Sequence, residues 1–192
     1  MGRPREFDET TALDGAVECF WQRGFAATSV RDLAAGMGIT CASLYNAFGD
    51  KRAVFRAALE RYLDRSMRAR IARYEGMGDP KSAIRGFVEE IIGNSLGGER
   101  RGCFLVNAAL EIAPHDAELG AIIAERLGEL EGFFRRCVTA GQRNGSITGT
   151  RDPADLARLL LGVVLGIRVL ARAKPRRELL EGVARPALAL LE

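Results

Sequence analysis

Residues 28–51 read T-S-V-R-D-L-A-A-G-M-G-I-T-C-A-S-L-Y-N-A-F-G-D-K, and this stretch decides the fold. Ser29 is followed three residues later by Asp32, and this pair predicts a helix N-terminus because each side chain can cap the other's backbone amide. The G-M-G that follows provides the backbone freedom to end the helix in a sharp turn. Thr40 is a second N-cap candidate. The stretch therefore predicts two short helices joined by a tight turn.

The second of these helices is predicted to bury Leu44 and Phe48, which are four residues apart, and to expose a small polar face. The exposed side chains are expected to be Cys41, Ala42, Ser43, Tyr45 and Asn46. Two such helices form a helix-turn-helix, whose second helix can lie in the major groove of DNA. The same pattern also fits a purely structural corner between two helices. The residues of this stretch alone leave both interpretations open.

The segment S-L-Y-N-A-F-G-D-K, residues 43–51, and the preceding A-V-E-C-F-W-Q-R-G-F-A-A-T-S-V, residues 16–30, together resemble the TetR family of dimeric bacterial transcription regulators. The resemblance implies an all-α fold of about nine helices. An N-terminal three-helix DNA-binding domain would occupy residues 1–51, and a linking helix about residues 51–74. Residues 75–192 would form a helical effector-binding and dimerisation domain.

The resemblance also implies where DNA would be contacted. Phosphate or positioning contacts are predicted at Thr28, Thr40, Ser43, Tyr45 and Lys51. Contacts to base edges are predicted at Cys41, Ala42 and Asn46, and the methyl group of Ala42 can touch a thymine methyl. The chain departs from the family at Cys41, where members often carry a basic residue. A thiol is a weak hydrogen-bonding group and cannot make the bidentate guanine contact of Arg or Lys.

The N-terminal residues G-R-P-R place Arg3 and Arg5 in a short basic arm that Pro4 keeps from being helical. Such an arm either reaches a minor groove or is a solvated terminus, and the sequence leaves both open. The charge does not indicate a general polyanion binder, because the net charge is only +3 and residues 1–51 carry five basic and seven acidic side chains. DNA phosphates are therefore expected to meet helix N-termini, hydroxyls and a few placed cations.

Composition excludes several classes of function. The 192 residues, 47% hydrophobic and 28% charged, are typical of one or two globular domains. Four scattered cysteines without C-x-x-C spacing and one histidine argue against a metal site, and no nucleophile motif, phosphate loop or paired carboxylates indicate an enzyme or a cofactor. The N-terminus lacks an apolar signal core, and the most apolar run spans only residues 159–167. A cytoplasmic protein without a membrane span is expected.

The linking helix carries a run of arginines in its second half. The run comprises Arg61, Arg65, Arg68, Arg70 and Arg73. At the start of the same helix, Asp50 is expected to be the N-cap. A solvated helix face and a secondary DNA contact both fit such a run.

In the second domain, the apolar helix after Gly102 carries two polar residues, Asn107 and Glu111, which are four apart and share a face. This pair either closes a structural hydrogen-bond network or orients a ligand in a pocket. The pocket would be lined by Phe87, Ile91, Phe104, Asn107, Leu110, Glu111, Phe133 and Phe134. Such a lining predicts a small hydrophobic effector.

Cys103 precedes the same helix, where the helix dipole and free amides favour a thiolate. A thiol sensor of oxidants or electrophiles is one interpretation, and an inert cysteine is the other. Control by a protein partner, or by thiol modification at Cys103, is the alternative to a small-molecule ligand.

Two helices at the end of the chain are predicted to join two copies. Asp152 and Pro153 begin a helix that is apolar nearly all round its middle, and such a helix must be covered on every side. The family dimerises through its last two helices, so a homodimer on a palindromic double-stranded operator is implied. The predicted contact residues are Leu159, Val163, Gly166, Leu170, Leu180, Val183 and Leu188.

Overall fold

The structure, a computed structural model, describes residues 7–97 and 101–192. Every regular element in these ranges is a helix: α1 (Glu9–Arg23), α2 (Val30–Gly36), α3 (Cys41–Phe48), α4 (Lys51–Leu63), a π-helical turn (Asp64–Arg68), α5 (Ala69–Glu75), α6 (Pro80–Leu96), α7 (Phe104–Glu111), α8 (Ala117–Asn144), α9 (Pro153–Ala173) and α10 (Arg177–Ala189). The segments from α4 to α5 are consecutive. Counted as one, they give nine helices in the described ranges, and the all-α prediction is confirmed.

The N-terminal helices pack around α1. Asp8 begins α1 by accepting hydrogen bonds from the amides of Thr10 and Thr11, at 2.8 and 3.2 Å. Ala16 and Phe20 of α1 are buried, and α1 packs against both α4 and α2. This packing fixes α2 and α3 relative to the start of the linking helix.

The linking helix is continuous but changes its winding midway, at the π-helical turn. Within this turn the hydroxyl of Ser66 donates a hydrogen bond to the carbonyl of Tyr62 at 2.7 Å. A side chain that bonds back to the preceding turn competes with the backbone ladder and favours local rewinding. Ser66 and Met67 of this turn line a small cavity.

The arginines of this linking helix are engaged in ion pairs, which neither sequence interpretation predicted. Their partners come from α1, from the linking helix itself, from α6 and from α8. The pairs are Arg61 and Arg65 with Asp14, Arg68 with Glu60, Asp64 and Glu129, and Arg70 and Arg73 with Glu90. The run therefore fastens the helix to its neighbours.

The C-terminal helices form one packed bundle in which α8 and α9 are the longest elements. Asp116 and Asp152 accept hydrogen bonds from backbone amides at the start of these helices, and the sequence predicts the helix start at Asp152. Phe87, Phe133 and Phe134 meet at the centre with ring centroids 5.0–5.4 Å apart. In the part of the chain that the structure describes, no helix is both long and apolar enough to cross a membrane.

Candidate nucleic-acid interface and ligand cavity

The first helix of the helix-turn-helix is fixed at its N-terminus by a reciprocal cap. Ser29 Oγ accepts a hydrogen bond from Asp32 N at 3.1 Å, and Asp32 Oδ2 accepts one from Ser29 N at 3.0 Å. Hydrogen bonds from the Ser29 hydroxyl and amide, and then from Arg23, lower the pKa of Asp32 to about 2. The predicted capping pair is confirmed, and Arg23 additionally ties it to the end of α1.

The turn between α2 and α3 depends on Gly38. Its φ of 68° lies in the left-handed region, which glycine adopts without steric cost. The turn is closed by a hydrogen bond from Ile39 N to Ala34 O at 3.0 Å. This geometry forms the tight turn between α2 and α3 that the sequence predicts.

Thr40 caps α3 and thereby orients the candidate recognition helix. Its Oγ1 accepts a hydrogen bond from Ser43 N at 3.0 Å, and the two hydroxyls lie 2.9 Å apart. Leu44 is fully buried, so α3 is anchored through one side. The opposite side exposes Cys41, Ala42, Tyr45 and Asn46 to solvent. Tyr45, with half of its surface accessible, is among the most exposed large apolar side chains in the described residues.

Thr28, a predicted phosphate contact, is not exposed at the candidate interface. Its side chain is fully buried, and its hydroxyl donates a hydrogen bond to Gly24 O at 2.6 Å. The side chain closes the loop between α1 and α2 from inside. Arg3 and Arg5, the predicted minor-groove arm, lie outside the described residues.

Lys51 is at the first position of α4, but its side chain folds back onto the α1–α2 loop. Nζ lies 3.5 Å from Ala26 O and 4.5 Å from the centroid of the Phe25 ring. Burial lowers the pKa of this amine, and the nearby Glu111 carboxylate opposes that shift. The amine of Lys51 therefore lies against the α1–α2 loop, which precedes the candidate interface.

A small cavity lies beside the π-helical turn. Its volume is about 40 Å³, room for very few water molecules. Its walls come from the linking helix and from α6, α7, α8 and α9, and they combine apolar side chains with a few polar ones. The polar groups are Tyr62, Ser66, Arg70, Cys103 and Arg168. A drug-sized ligand needs several hundred Å³, so the walls must part to admit one.

A second, wider recess lies between the end of α1 and α7. We call it the α1–α7 crevice. Its volume is about 380 Å³, and it is lined by Phe20, Trp21, Gln22, Arg23, Gly24, Phe25, Phe55, Phe104, Asn107, Ala108, Leu110, Glu111, Ile112 and Arg172.

The residues predicted to form one ligand pocket are divided between these places. Phe87 and Ile91 line the small cavity. Phe104, Asn107, Leu110 and Glu111 line the α1–α7 crevice, and Leu110 is 65% exposed. Phe133 and Phe134 are fully buried and line neither recess. The predicted lining residues therefore do not share one recess in this structure, because α7 turns its polar face towards α1 rather than into the bundle.

Asn107 and Glu111 do not bond to each other. Asn107 Nδ2 donates to Arg101 O at 2.7 Å, and Arg172 Nη1 donates to Asn107 Oδ1 at 2.9 Å. Glu111 Oε1 accepts the Ala26 amide at 2.9 Å. Of the two interpretations of this pair, the structural hydrogen-bond network describes the contacts made here.

Sequence reasoning missed Tyr62, Arg70 and Arg168 as cavity residues. Arg168 directly follows the apolar run 159–167 within α9 and precedes Val169 and Leu170, and an arginine at that place between apolar residues was the available signal. Tyr62 follows the apolar spacing of α4, and no local feature distinguishes it from a core residue. Its position depends on the packing of distant helices.

Cys103 lies at the wall of the cavity and is half-buried. The hydroxyl of Tyr62 donates a hydrogen bond to its Sγ at 3.6 Å, and burial, with Cys103 beside it, raises the pKa of Tyr62. Burial raises the pKa of the Cys19 thiol and raises that of the Cys137 thiol to about 11. Cys41 is exposed on α3.

An apolar face of α9 remains uncovered within one chain. Leu159 and Val169 are 41% and 46% exposed. A β-carbon at Gly162 or Gly166 would meet no atom within 4 Å, so the backbone there is open to close approach. Val163, Leu170 and Val183, also predicted contacts, are partly exposed. Leu180 and Leu188 are instead buried inside the chain, because α10 packs that side against α6 and α9.

Comparisons with known proteins agree with this arrangement. Residues 12–58 match the family described as "Bacterial regulatory proteins, tetR family", and residues 80–186 match "Tetracyclin repressor-like, C-terminal domain". The chain is 32% identical to the uncharacterized HTH-type transcriptional regulator YezE of Bacillus subtilis (strain 168), and the match covers 100% of both chains. It is 30% identical to the HTH-type transcriptional repressor ComR of Escherichia coli (strain K12), over 98% of this chain and 91% of ComR.

Among solved structures, a cysteine-substituted variant of the regulator CifR in complex with 26-bp double-stranded operator DNA is similar over its whole length. The TM-score is 0.87 at 32% identity, with 100% of each chain covered.

Proposed function

The chain belongs to the TetR family of bacterial regulatory proteins, and on that premise we propose that it is a sequence-specific transcriptional repressor that a small hydrophobic effector releases from its operator. The observation that carries this proposal is the face of α3. It is capped by Thr40, anchored by Leu44, and presents small side chains and Tyr45 to solvent. The similarity to operator-bound CifR over the whole chain supports it.

The proposed partners are a second copy of the chain and a palindromic double-stranded operator. Two recognition helices related by a two-fold axis require half-sites related in the same way. The uncovered face of α9, with Leu159, Gly162 and Gly166, supports association of two copies. We retain the proposed division into residues 1–51, the linking helix and residues 75–192, and place the protein with its operator in the cytoplasm.

The proposed effector site is the small cavity beside the π-helical turn. Its apolar walls favour a hydrophobic molecule, and Tyr62 and Arg168 can orient a polar group on it. At about 40 Å³ the cavity must expand to bind such a molecule. A ligand that binds only the expanded state shifts the population towards it, and operator binding weakens if the expanded state separates the recognition helices wrongly.

Control through Cys103 is the alternative that a specific observation favours. The thiol lies at the cavity wall against the Tyr62 hydroxyl, so an adduct there would force the same walls apart. Alkylation of Cys103 no faster than that of free cysteine, measured by mass spectrometry, would exclude this route.

Selection of bound sequences from a random double-stranded DNA pool tests the proposed function. The purified protein is used at physiological salt, because affinity for DNA depends strongly on salt. A palindromic consensus supports the proposal. A sequence-blind pool recovered by a folded dimer contradicts it and favours regulation through a protein partner.

A further inference from the structure

We propose that Glu111 is a positioning residue for operator binding, holding the α1–α2 loop, and with it the helix-turn-helix, in the pose that fits DNA. The inference rests on the proposed function. It concerns a residue outside the helix-turn-helix, at the end of α7 and far along the chain from α3.

The first observation is a hydrogen bond between distant parts of the chain. Glu111 Oε1 accepts the amide of Ala26 at 2.9 Å, and Ala26 lies in the loop that leads into α2. From the other side, Lys51 Nζ lies 3.5 Å from the carbonyl of Ala26. The loop is thus held at one residue by α7 and by the first residue of α4.

The second observation is the close fit of the carboxylate on Gly24. A β-carbon at Gly24 would lie 2.6 Å from Glu111 Oε2, and the φ of 82° at this residue already favours glycine. The loop therefore leaves room for the carboxylate against its backbone. A shorter acidic side chain at position 111 could not keep both the hydrogen bond from the Ala26 amide and the contact with Gly24.

The third observation is that the segment containing α7 is fastened at several points. Trp21 Nε1 donates to Gly102 O at 3.2 Å, and Arg101 pairs with Glu18. On the other side, Arg172 of α9 donates to Asn107 at 2.9 Å. We call residues 101–111 the strap. The strap joins α1 and its following loop to α9, the helix that carries the proposed dimer face.

The strap also lines the small cavity. Cys103, Leu105 and Val106 form part of the cavity wall, whereas Glu111 lies at the other end of the same short helix. Movement of α7 away from the cavity would therefore move the carboxylate relative to Ala26. In this proposal the arrangement with the Glu111–Ala26 hydrogen bond is the DNA-binding state, and the chain shares its overall fold with operator-bound CifR at a TM-score of 0.87.

The test compares operator affinity among variants of the full-length protein, using the duplex recovered by DNA selection. Glu111→Gln keeps the reach and an oxygen acceptor but loses the charge. Glu111→Asp keeps the charge but loses the reach. We expect Glu111→Gln to stay within about threefold of the wild-type Kd, and Glu111→Asp and Glu111→Ala to bind about tenfold more weakly.

Two controls separate the loss of the Glu111–Ala26 hydrogen bond from effects of net charge and of folding. Loss of a negative charge alone strengthens attraction to DNA, so weakening in Glu111→Ala runs against the electrostatic effect. Glu89→Ala makes the same charge change at an exposed residue of α6 and should not weaken binding. Amide hydrogen exchange at Ala26 should accelerate in Glu111→Asp but remain slow in Glu111→Gln, with thermal unfolding confirming that both variants fold.

The outcomes are distinguishable. Wild-type affinity in both Glu111→Asp and Glu111→Ala would overturn the role of Glu111 while leaving the proposed function intact. Equal weakening in Glu111→Asp and Glu111→Gln would also overturn it, because the loss of affinity would then not follow the length of the side chain. Failure of the wild type itself to select any sequence would instead contradict the proposed function.

Discussion

At the scale of single residues, the hydroxyl of Thr40 determines how α3 begins. Replacement by Val keeps the shape of the side chain and removes the acceptor for the Ser43 amide. Thr40→Val is expected to lower the free energy of unfolding by about 1 kcal/mol, the usual effect of a lost N-cap, and to weaken operator binding. Thr40→Ser keeps the cap and serves as the control. Equal stability of the two variants in urea unfolding would contradict the assigned role.

Glu90 is expected to make stability depend on acid pH. Burial opposes its ionisation, but Arg70, Arg73 and Tyr74 surround the carboxylate and lower its pKa to about 2. A carboxyl whose pKa is lowered in the folded state contributes stability above its unfolded pKa, and this stability is lost as pH falls towards the folded value.

Glu90→Gln should therefore be less stable near neutral pH and lose less stability between about pH 5 and pH 2 than the wild type does. Urea unfolding at a series of pH values measures both. Parallel pH profiles for the two proteins would show that Glu90 does not contribute.

Residue types alone predicted the caps and the turn but not the ligand-binding set. Ser29, Asp32, Gly38 and Thr40 act on neighbours within a few positions, so their roles can be read from the sequence. The role of Glu111 is set by a loop 85 positions away in the chain. No local pattern indicates which helix face that loop covers.

At the scale of elements, the linking helix is fastened to α8 by Arg68, whose guanidinium pairs with Glu129 at 2.7 Å. The side chains are 31% and 28% exposed, and further carboxylates surround them. A run of arginines was visible in the sequence. Its acidic partners lie on other helices, so the sequence did not reveal whether the run faces solvent, DNA or protein.

A double-mutant cycle with Arg68→Met and Glu129→Gln is expected to give a coupling energy of roughly 1 kcal/mol. The matched control is the Arg177 and Glu181 pair, whose side chains are 66% and 44% exposed. There the coupling should fall below about 0.5 kcal/mol, since exposed pairs are screened by water. Equal couplings, measured by urea unfolding, would mean that the Arg68 network does not fasten the linking helix to α8.

At the scale of the whole molecule, the open backbone of α9 predicts where two copies meet. Gly166→Glu places a charge on the proposed dimer face, while replacing glycine in a helix interior should not destabilise the single chain. This variant is expected to sediment as a monomer and to lose cooperative operator binding.

Gly128→Glu is the matched control, because Gly128 lies in the middle of the α8 segment and a β-carbon there would also meet no atom within 4 Å. It should remain a dimer. A dimeric Gly166→Glu protein would place the interface elsewhere.

The fold class could be predicted from the sequence because helix caps and apolar spacing are repeated in nearly every element. The division of the predicted dimer residues into exposed and buried ones could not be predicted. Leu159 and Leu180 have the same apolar character, yet one is exposed and the other is buried. The difference arises from how α10 packs on α6 and α9, which depends on the assembled bundle.

The proposed dimer holds two recognition helices at a fixed separation on a palindromic operator. Insertion of about five base pairs between the half-sites of the selected operator tests it most directly, because half a helical turn places the half-sites on opposite sides of the duplex. Affinity is expected to fall to the level of binding to non-specific DNA, whereas an insertion of about ten base pairs leaves the half-sites on the same side of the duplex. Undiminished binding to the five-base-pair insertion would show that no dimer of fixed geometry spans the two half-sites.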